Sequence, residues 1–466
     1  MNLRSDRPVA VLGGGLAGLS AADVLASRGV PVLLLERDDH VGGLASTVAK
    51  KGFHFDYGPH RFHTRSDRIL KRVQELLPGE LLTLERVSRI RLLNRYFRYP
   101  LALGDVLRQM PKTRGAAMIG SYLAEKLRAL AGGRGDDNFR DWVVSRFGRS
   151  LYDVYFGPYT EKLWGCSPER LSADWASQRI TVPSLSGLLK ETLFPSDGKV
   201  RSLVSTFHYP KGGIGRIADS LAKRIGAAGG RVVLSAPVTS VLREADGSYT
   251  VSAGGEDYRV ASIVSTIPVD DYVRALGDRV PEEIKAAAEE LIFRSIVFVT
   301  LRVQGGAPPA PDHWIYASEP DYSFNRLSIP ENFDSNVSDQ GWQAVFEFTC
   351  QAGDSTWHEK SRLIEESVAG GERLGLFDPA RVSGSLVTRQ SHAYPIYHKG
   401  YSGLSAKVLD YLEGLPGSVT CGRQGLFRYN NMDHSIEMGR YAALETLGEG
   451  SVREQFSWTR DTWADG

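Results

Sequence analysis

Residues 9–43 read VAVLGGGLAGLSAADVLASRGVPVLLLERDDHVGG. An apolar strand runs into a glycine turn, a small-residue helix follows, and a second apolar strand ends on the acidic Glu36. Gly13 suits the tight turn after the strand, Gly15 lets backbone approach a pyrophosphate, and Gly18 lets the helix pack against the sheet, so the helix N-terminus faces two phosphates. Leu16 and Ala17 belong to the same turn and are expected against the cofactor. Glu36 is placed to accept hydrogen bonds from a ribose diol, with Arg37 beside it. A βαβ unit of this pattern binds a dinucleotide, and NAD would satisfy it as well as FAD.

Composition narrows the class. A chain of 466 residues exceeds one ordinary core and predicts two or three domains. The 56 lysines and arginines balance 55 aspartates and glutamates, so no overall field draws nucleic acid or an anionic membrane, and anion affinity must come from local arginines. Cys166, Cys350 and Cys421 are too widely spaced for a metal site and too few for a disulfide framework. With no apolar signal core in MNLRSDRP and no run near the ~20 apolar residues of a membrane span, a cytoplasmic location is expected. The sequence carries no signal of oligomeric state.

Along the chain, GFHFDYGPHRFHT joins a short strand to a Gly58-Pro59 turn. Helical spacing predicts helices between Leu101 and Leu130 and between Asp136 and Ala176. RVVLS, two alternating strands around Asp246-Gly247, and ASIVSTI suit a return to the nucleotide-binding sheet. SIVFVTLRV and QAVFEFTC read as alternating strands of an antiparallel sheet, and the region from Gly422 to Leu444 ends in a helix whose start points at the cofactor. The fold class is therefore α/β, a discontinuous Rossmann-like dinucleotide domain with a helical insertion and an antiparallel-sheet substrate domain. The expected boundaries are 1–95, 201–275 and 416–466 for the nucleotide-binding domain, 96–200 for the insertion and 276–415 for the substrate side.

Several separated segments carry a family resemblance. Gly42-Gly43, followed by Leu44 and Ser46-Thr47, resembles the second glycine turn of the two-dinucleotide-domain flavoproteins, which favours FAD. YGPHRFHT (57–64), PYTEKLWG (158–165), ADWASQRI (173–180), WIYASEPDYSFNRLSIPENF (314–333), AYP (393–395) and GRQGLFRYNNMDHSI (422–436) together resemble the UDP-galactopyranose mutases. That resemblance implies His60 and His63 beside the isoalloxazine ring, Trp164 near the uridine or sugar, Arg179 and Arg326 on the diphosphate, Tyr316 next to them, and Tyr394 and Tyr429 as diphosphate-contacting phenols. Asn431 is implied as a further substrate contact. Cofactor contacts are implied for Gly58, His60, Arg61 and Val238, and near the end for Arg423, Met432, Asp433 and Ser435.

The implied activity is interconversion of pyranose and furanose forms of a nucleotide-diphosphate sugar, with reduced FAD as nucleophile and no net redox change. Negative charge develops on the departing diphosphate, and arginine meets it because a guanidinium is permanently charged and binds phosphate bidentately. Cys166 has no paired base in the local sequence and reads as a structural thiol. The histidines read as groups tuning flavin protonation near neutral pH. The wider group of FAD-dependent oxidoreductases, similar to amine and protoporphyrinogen oxidases, shares the first glycine motif and stands as the alternative.

Overall fold

The computed structural model describes residues 7–101, 106, 109–130, 136–180, 206–336 and 341–456, with the side chains of Ala129, Gln178 and Arg179 outside that description. The elements that position the site are, in chain order, β1 (Val9–Leu12), α1 (Leu16–Ser27), β2 (Val32–Leu35), β3 (Ser88–Leu92), β4 (Arg95–Arg98), α2 (Lys112–Leu130), α3 (Gly157–Trp164), β5 (Arg231–Val233), β6 (Ser262–Ser265), β7 (Phe293–Val303), β8 (Trp314–Ala317), β9 (Arg326–Ser328), β10 (Trp342–Cys350), β11 (Val382–Pro395), β12 (Ser418–Thr420) and α4 (Met432–Thr446).

A five-stranded parallel sheet runs in the order β12-β6-β1-β2-β5. β1, β2 and β6 are buried at every position, as a sheet covered on both faces requires. α1 and α4 cover one face in close contact: the Ser20 hydroxyl donates to the Ile436 carbonyl at 2.7 Å, and a Cβ on Gly439 would lie 2.0 Å from the Ala17 carbonyl oxygen. Strands drawn from both ends and the middle of the chain thus make one sheet, whose three inner strands are fully buried while the edge strands β5 and β12 are partly exposed.

The second sheet has seven strands, ordered β11-β7-β10-β9-β8-β3-β4. Its pairings are antiparallel except that β8 runs parallel to β3, so the expected antiparallel sheet carries one parallel seam. The expected alternation in β7 and β10 is corrected: nearly every position is buried, because both faces are covered. Val297, Val299, Leu301, Phe346 and Phe348 join one core with Leu363 of the helix Lys360–Arg373, while Ile296, Phe298 and Val345 pack on Phe53 and Phe55.

The helical region follows the predicted spacing at α2, Phe139–Phe147 and α3. Most of LALGDVLRQM lies outside the described residues. A π-helical turn at Tyr152–Phe156 precedes α3, which no periodicity argument anticipates. Among the described residues no helix is long and apolar enough to cross a membrane.

Candidate active site

The dinucleotide end follows from backbone geometry. Gly13 has φ +102° after β1, and a Cβ on Gly18 would lie 1.9 Å from the Gly13 carbonyl oxygen, so neither position tolerates a side chain. Gly15 differs: nothing lies within 4 Å of a Cβ there, which leaves its face open to a ligand. The second glycine turn lies alongside, Gly15 bridging Gly42 in parallel and the Gly42 N–H donating to the Gly14 carbonyl at 2.8 Å. Leu16, Ala17 and Gly43 are packed into this junction, and Leu44 borders the Phe53 core. Glu36 is buried at the end of β2 and accepts the Gly14 and Asp38 N–H groups; burial pushes its pKa up, partly offset by those two donors. Arg37 is exposed, 3.8 Å from Asp38. Val238 begins the strand that follows Ala236, whose N–H donates to the Glu36 carbonyl at 2.7 Å. These residues fit a pyrophosphate and a ribose.

α4 packs on α1 beside the same sheet. Asn431 caps it: its side chain accepts from the first-turn backbone while His434 Nδ1 accepts the Asn431 N–H at 3.2 Å. Asn431, expected on substrate, thus has a structural task. Ser435 donates to Asn430 Oδ1 at 3.2 Å, and Met432 and Asp433 form the first turn, with Asp433 close enough to His63 to act on its charge.

The other half of the candidate site is built on one row of the seven-stranded sheet. Tyr316, Arg326, Glu347 and Phe298 are register partners across β8, β9, β10 and β7, so their side chains share a face. Arg326 donates from Nε to Glu347 Oε1 and from Nη2 to Oε2, each at 2.8 Å, and its guanidinium lies 5.8 Å from the Tyr316 ring. Gly58, at φ +94°, lies directly over this pair; a Cβ there would come within 3.1 Å of Glu347 Oε1 and 3.3 Å of Arg326 Nη2. Tyr394 stacks on Tyr429 with centroids 5.6 Å apart, Arg423 lies 4.7 Å from the Tyr429 ring, and Trp164 and Trp175 close the box at 6.2 Å from Tyr394 and 5.2 Å from Tyr429. Trp164 is itself core, 3% exposed. Arg179 ends the helix Ala173–Arg179, but its side chain lies outside the described residues.

Burial sets the protonation states, with neighbouring charges second. His60 has its Nδ1 shielded from solvent, and burial, then Arg423 and Arg326, pull its pKa down to about 3. Its expected titration near neutrality is therefore corrected: the imidazole stays neutral. His63 is also lowered, by burial first and then by Arg61. Burial pushes Tyr394 up to about 12 despite Arg326, so its phenol remains a donor. Cys166 is likewise raised by burial, which suits an inert thiol.

Three residues escaped the sequence reading. Glu347 was detectable as the one acid inside QAVFEFTC; Trp175 stood within the ADWASQRI segment already singled out. Lys162 of PYTEKLWG donates to the carbonyls of Ala317, Glu319, Tyr322 and Phe324, and nothing local announced that role.

The glycine-lined dinucleotide site and the aromatic and arginine cluster are those of a flavin-dependent enzyme. Residues 16–332 match the model of the flavin containing amine oxidoreductases, and the chain belongs to that family, with FAD as its cofactor. A probable UDP-galactopyranose mutase of Klebsiella pneumoniae is 26% identical over 180 residues, 36% of this chain and 44% of that protein. A 4,4'-diapolycopene oxygenase of Methylomonas sp is 49% identical over 59 residues, 13% of this chain and 12% of that one. The chain thus spans less than half the length of these curated relatives. Over 99% of both chains the fold matches a crystal structure of reduced UDP-galactopyranose mutase, TM-score 0.87 at 22% identity. A putative protoporphyrinogen oxidase from Exiguobacterium sp. 255-15 matches at TM-score 0.72 and 17% identity, over 95% of this chain and 99% of that one. These structures share the fold.

Proposed function

We propose that this enzyme is a mutase interconverting the pyranose and furanose forms of a nucleotide-diphosphate sugar, active with reduced FAD. What supports the reading is one cluster: Arg326, Tyr316, Tyr394, Tyr429 and Trp164, matched from separate segments of the mutase pattern, gather around Gly58 and His60. Reduced FAD, when bound, supplies the nucleophile for the anomeric carbon. Arg326 binds the diphosphate as its charge grows, held charged by Glu347 even though burial opposes it. Tyr394 and Tyr429 add neutral donors. His60 offers a hydrogen-bonding group without a proton to release at working pH. The aromatic walls exclude water from the opened site.

The rival reading, net oxidation of a small molecule, has the family match in its favour. An amine substrate enters as a cation, however, and the charges acting on His60 are Arg423 and Arg326. The test is anaerobic incubation of the dithionite-reduced holoenzyme with a panel of nucleotide sugars, followed by chromatography and oxygen-uptake measurements. Many turnovers per flavin without acceptor support the mutase; product formed one for one with oxygen consumed defeats it.

A further inference from the structure

The helix α2 commits one face to the protein and leaves the other bare. On the inner side Met118 packs in one core with Ile90, Phe97 and Tyr155, and Glu125 is buried. The backbone there is close to the next helix: a Cβ on Gly148 would come within 2.8 Å of the Tyr122 nitrogen, and the Ser121 hydroxyl accepts the Ser150 N–H at 3.1 Å. On the outer side Ile119, Leu123, Leu127 and Leu130 recur at the spacing of a single helical face, and their exposure climbs from 46% through 50% and 68% to 86%. Scattered apolar side chains on a surface are ordinary, whereas four aligned on one face mark a contact surface.

The charges beside the stripe decide what it contacts. The remaining exposed positions of α2 hold Lys112, Arg114, Arg128, one threonine and small residues, and none of them is acidic. Lys112 shares the heading of Leu130, about five turns away, and Lys126 is the helical neighbour of both Leu123 and Leu130, its ammonium 5.4 Å from the Tyr122 ring. The one acid of the helix, Glu125, is buried and paired with Arg128. Asp136 and Asp137 lie past the helix, and Asp136 is taken by Arg146 at 2.7 Å. A second copy of the chain laid face to face on α2 would set basic side chains against basic side chains with no acid to answer them. An acidic lipid surface answers both features, since apolar residues enter the boundary between headgroups and acyl chains while lysines and arginines meet the phosphates. The near-zero net charge of the whole chain leaves such an attraction to this local face.

We propose that α2 is a membrane-surface contact, lying along an anionic phospholipid bilayer with Ile119, Leu123, Leu127 and Leu130 toward the acyl chains and Lys112 and Lys126 on the headgroup phosphates. The contact is peripheral: the helix lies in the plane of the interface and does not cross it. It brings the enzyme to a lipid surface whichever reaction the pocket performs.

The test is co-sedimentation of the FAD holoenzyme with vesicles of phosphatidylcholine alone and of phosphatidylcholine mixed with phosphatidylglycerol. The protein should pellet with the mixed vesicles and stay in the supernatant with the neutral ones, and high salt should weaken the binding. Leu123→Gln/Leu127→Gln and Lys112→Gln/Lys126→Gln should each weaken binding to the mixed vesicles about 10-fold or more. Thermal midpoint and FAD content should hold in both variants, because none of the four side chains belongs to the core. No binding to either vesicle, equal binding to both, or binding that survives either pair of substitutions overturns the proposal. Sedimentation velocity of the same proteins tests the other occupant: a dimer that Leu123→Gln/Leu127→Gln converts to monomer, with no vesicle binding, assigns the stripe to a second copy and likewise overturns it.

Discussion

Glu347 grips Arg326 with both carboxylate oxygens, Nε to Oε1 and Nη2 to Oε2 at 2.8 Å each, from the same register position on the adjacent strand. The pairing fixes the plane of the guanidinium and leaves Nη1 outside the ion pair. Arg326→Lys replaces a fork with a mobile point charge, and turnover efficiency on the true substrate should fall at least ~100-fold, on the order of 2.7 kcal/mol, with FAD content normal. Glu347→Gln should lose about 10-fold or more by releasing the fork, and the double variant should be little worse than Arg326→Lys, since the two act as a unit. Steady-state kinetics of all three variants check this; additive losses would show that Glu347 acts on its own.

The glycine turn makes a second prediction that separates folding from cofactor binding. Gly15 has φ −70°, and a Cβ there meets nothing within 4 Å, whereas one on Gly18 would strike the Gly13 carbonyl at 1.9 Å. Gly15→Ala should therefore keep the thermal midpoint of the apoprotein while FAD affinity drops about 10-fold or more, because the methyl occupies the pyrophosphate's approach. Gly18→Ala should lower the apoprotein midpoint as well. Equal effects of the two substitutions on the apoprotein would refute the assignment of Gly15 to the ligand face.

His60 makes a prediction about pH. Its pKa of about 3 lies below the ordinary 6.5, so between those values the unfolded chain binds the proton and the folded chain does not. The His60 contribution to stability is therefore lost as pH falls below about 6.5. Replacing it with glutamine removes that loss. The thermal midpoint of His60→Gln, measured against the wild type from pH 8 to pH 5, should gain on the wild type below pH ~6.5. Parallel curves would mean that His60 titrates normally.

The nucleotide-binding unit was readable because its signal is local: Gly13, Gly15, Gly18 and Glu36 sit within one βαβ unit whose spacing carries the geometry. The half of the candidate site on the seven-stranded sheet was readable only in part. Arg326, Tyr394 and Tyr429 could be singled out by pattern, yet the Arg326–Glu347 pair depends on the register of two strands, and the neighbourhood of Arg61 on side chains from Arg86, Tyr99 and Trp314. Burial likewise decided the state of His60, which its residue type alone places near neutrality. The alternation expected in β7 failed for a similar reason, since a strand covered on both faces has no polar side to show.

Lys162 shows how a residue with no expected role can set the site's shape. Its ammonium donates to the carbonyls of Ala317, Glu319 and Tyr322 at 2.6, 2.8 and 2.9 Å and to Phe324 at 3.4 Å, and burial pulls its pKa down to about 7. The segment it ties down joins β8, which carries Tyr316, to β9, which begins at Arg326. Lys162→Met keeps the apolar stem and removes every donor, leaving carbonyls that cost about 1–3 kcal/mol each where water cannot reach them. The thermal midpoint should fall by several degrees, consistent with a loss of ~2–4 kcal/mol. Lys162→Arg should not restore it, because a bulkier planar fork cannot converge on these carbonyls as the three N–H groups of one ammonium nitrogen do. If the segment is what holds Tyr316 and Arg326 in register, KM for the substrate should rise in Lys162→Met while FAD content stays normal. An unchanged midpoint together with an unchanged KM would show that the strands hold that geometry without the clamp.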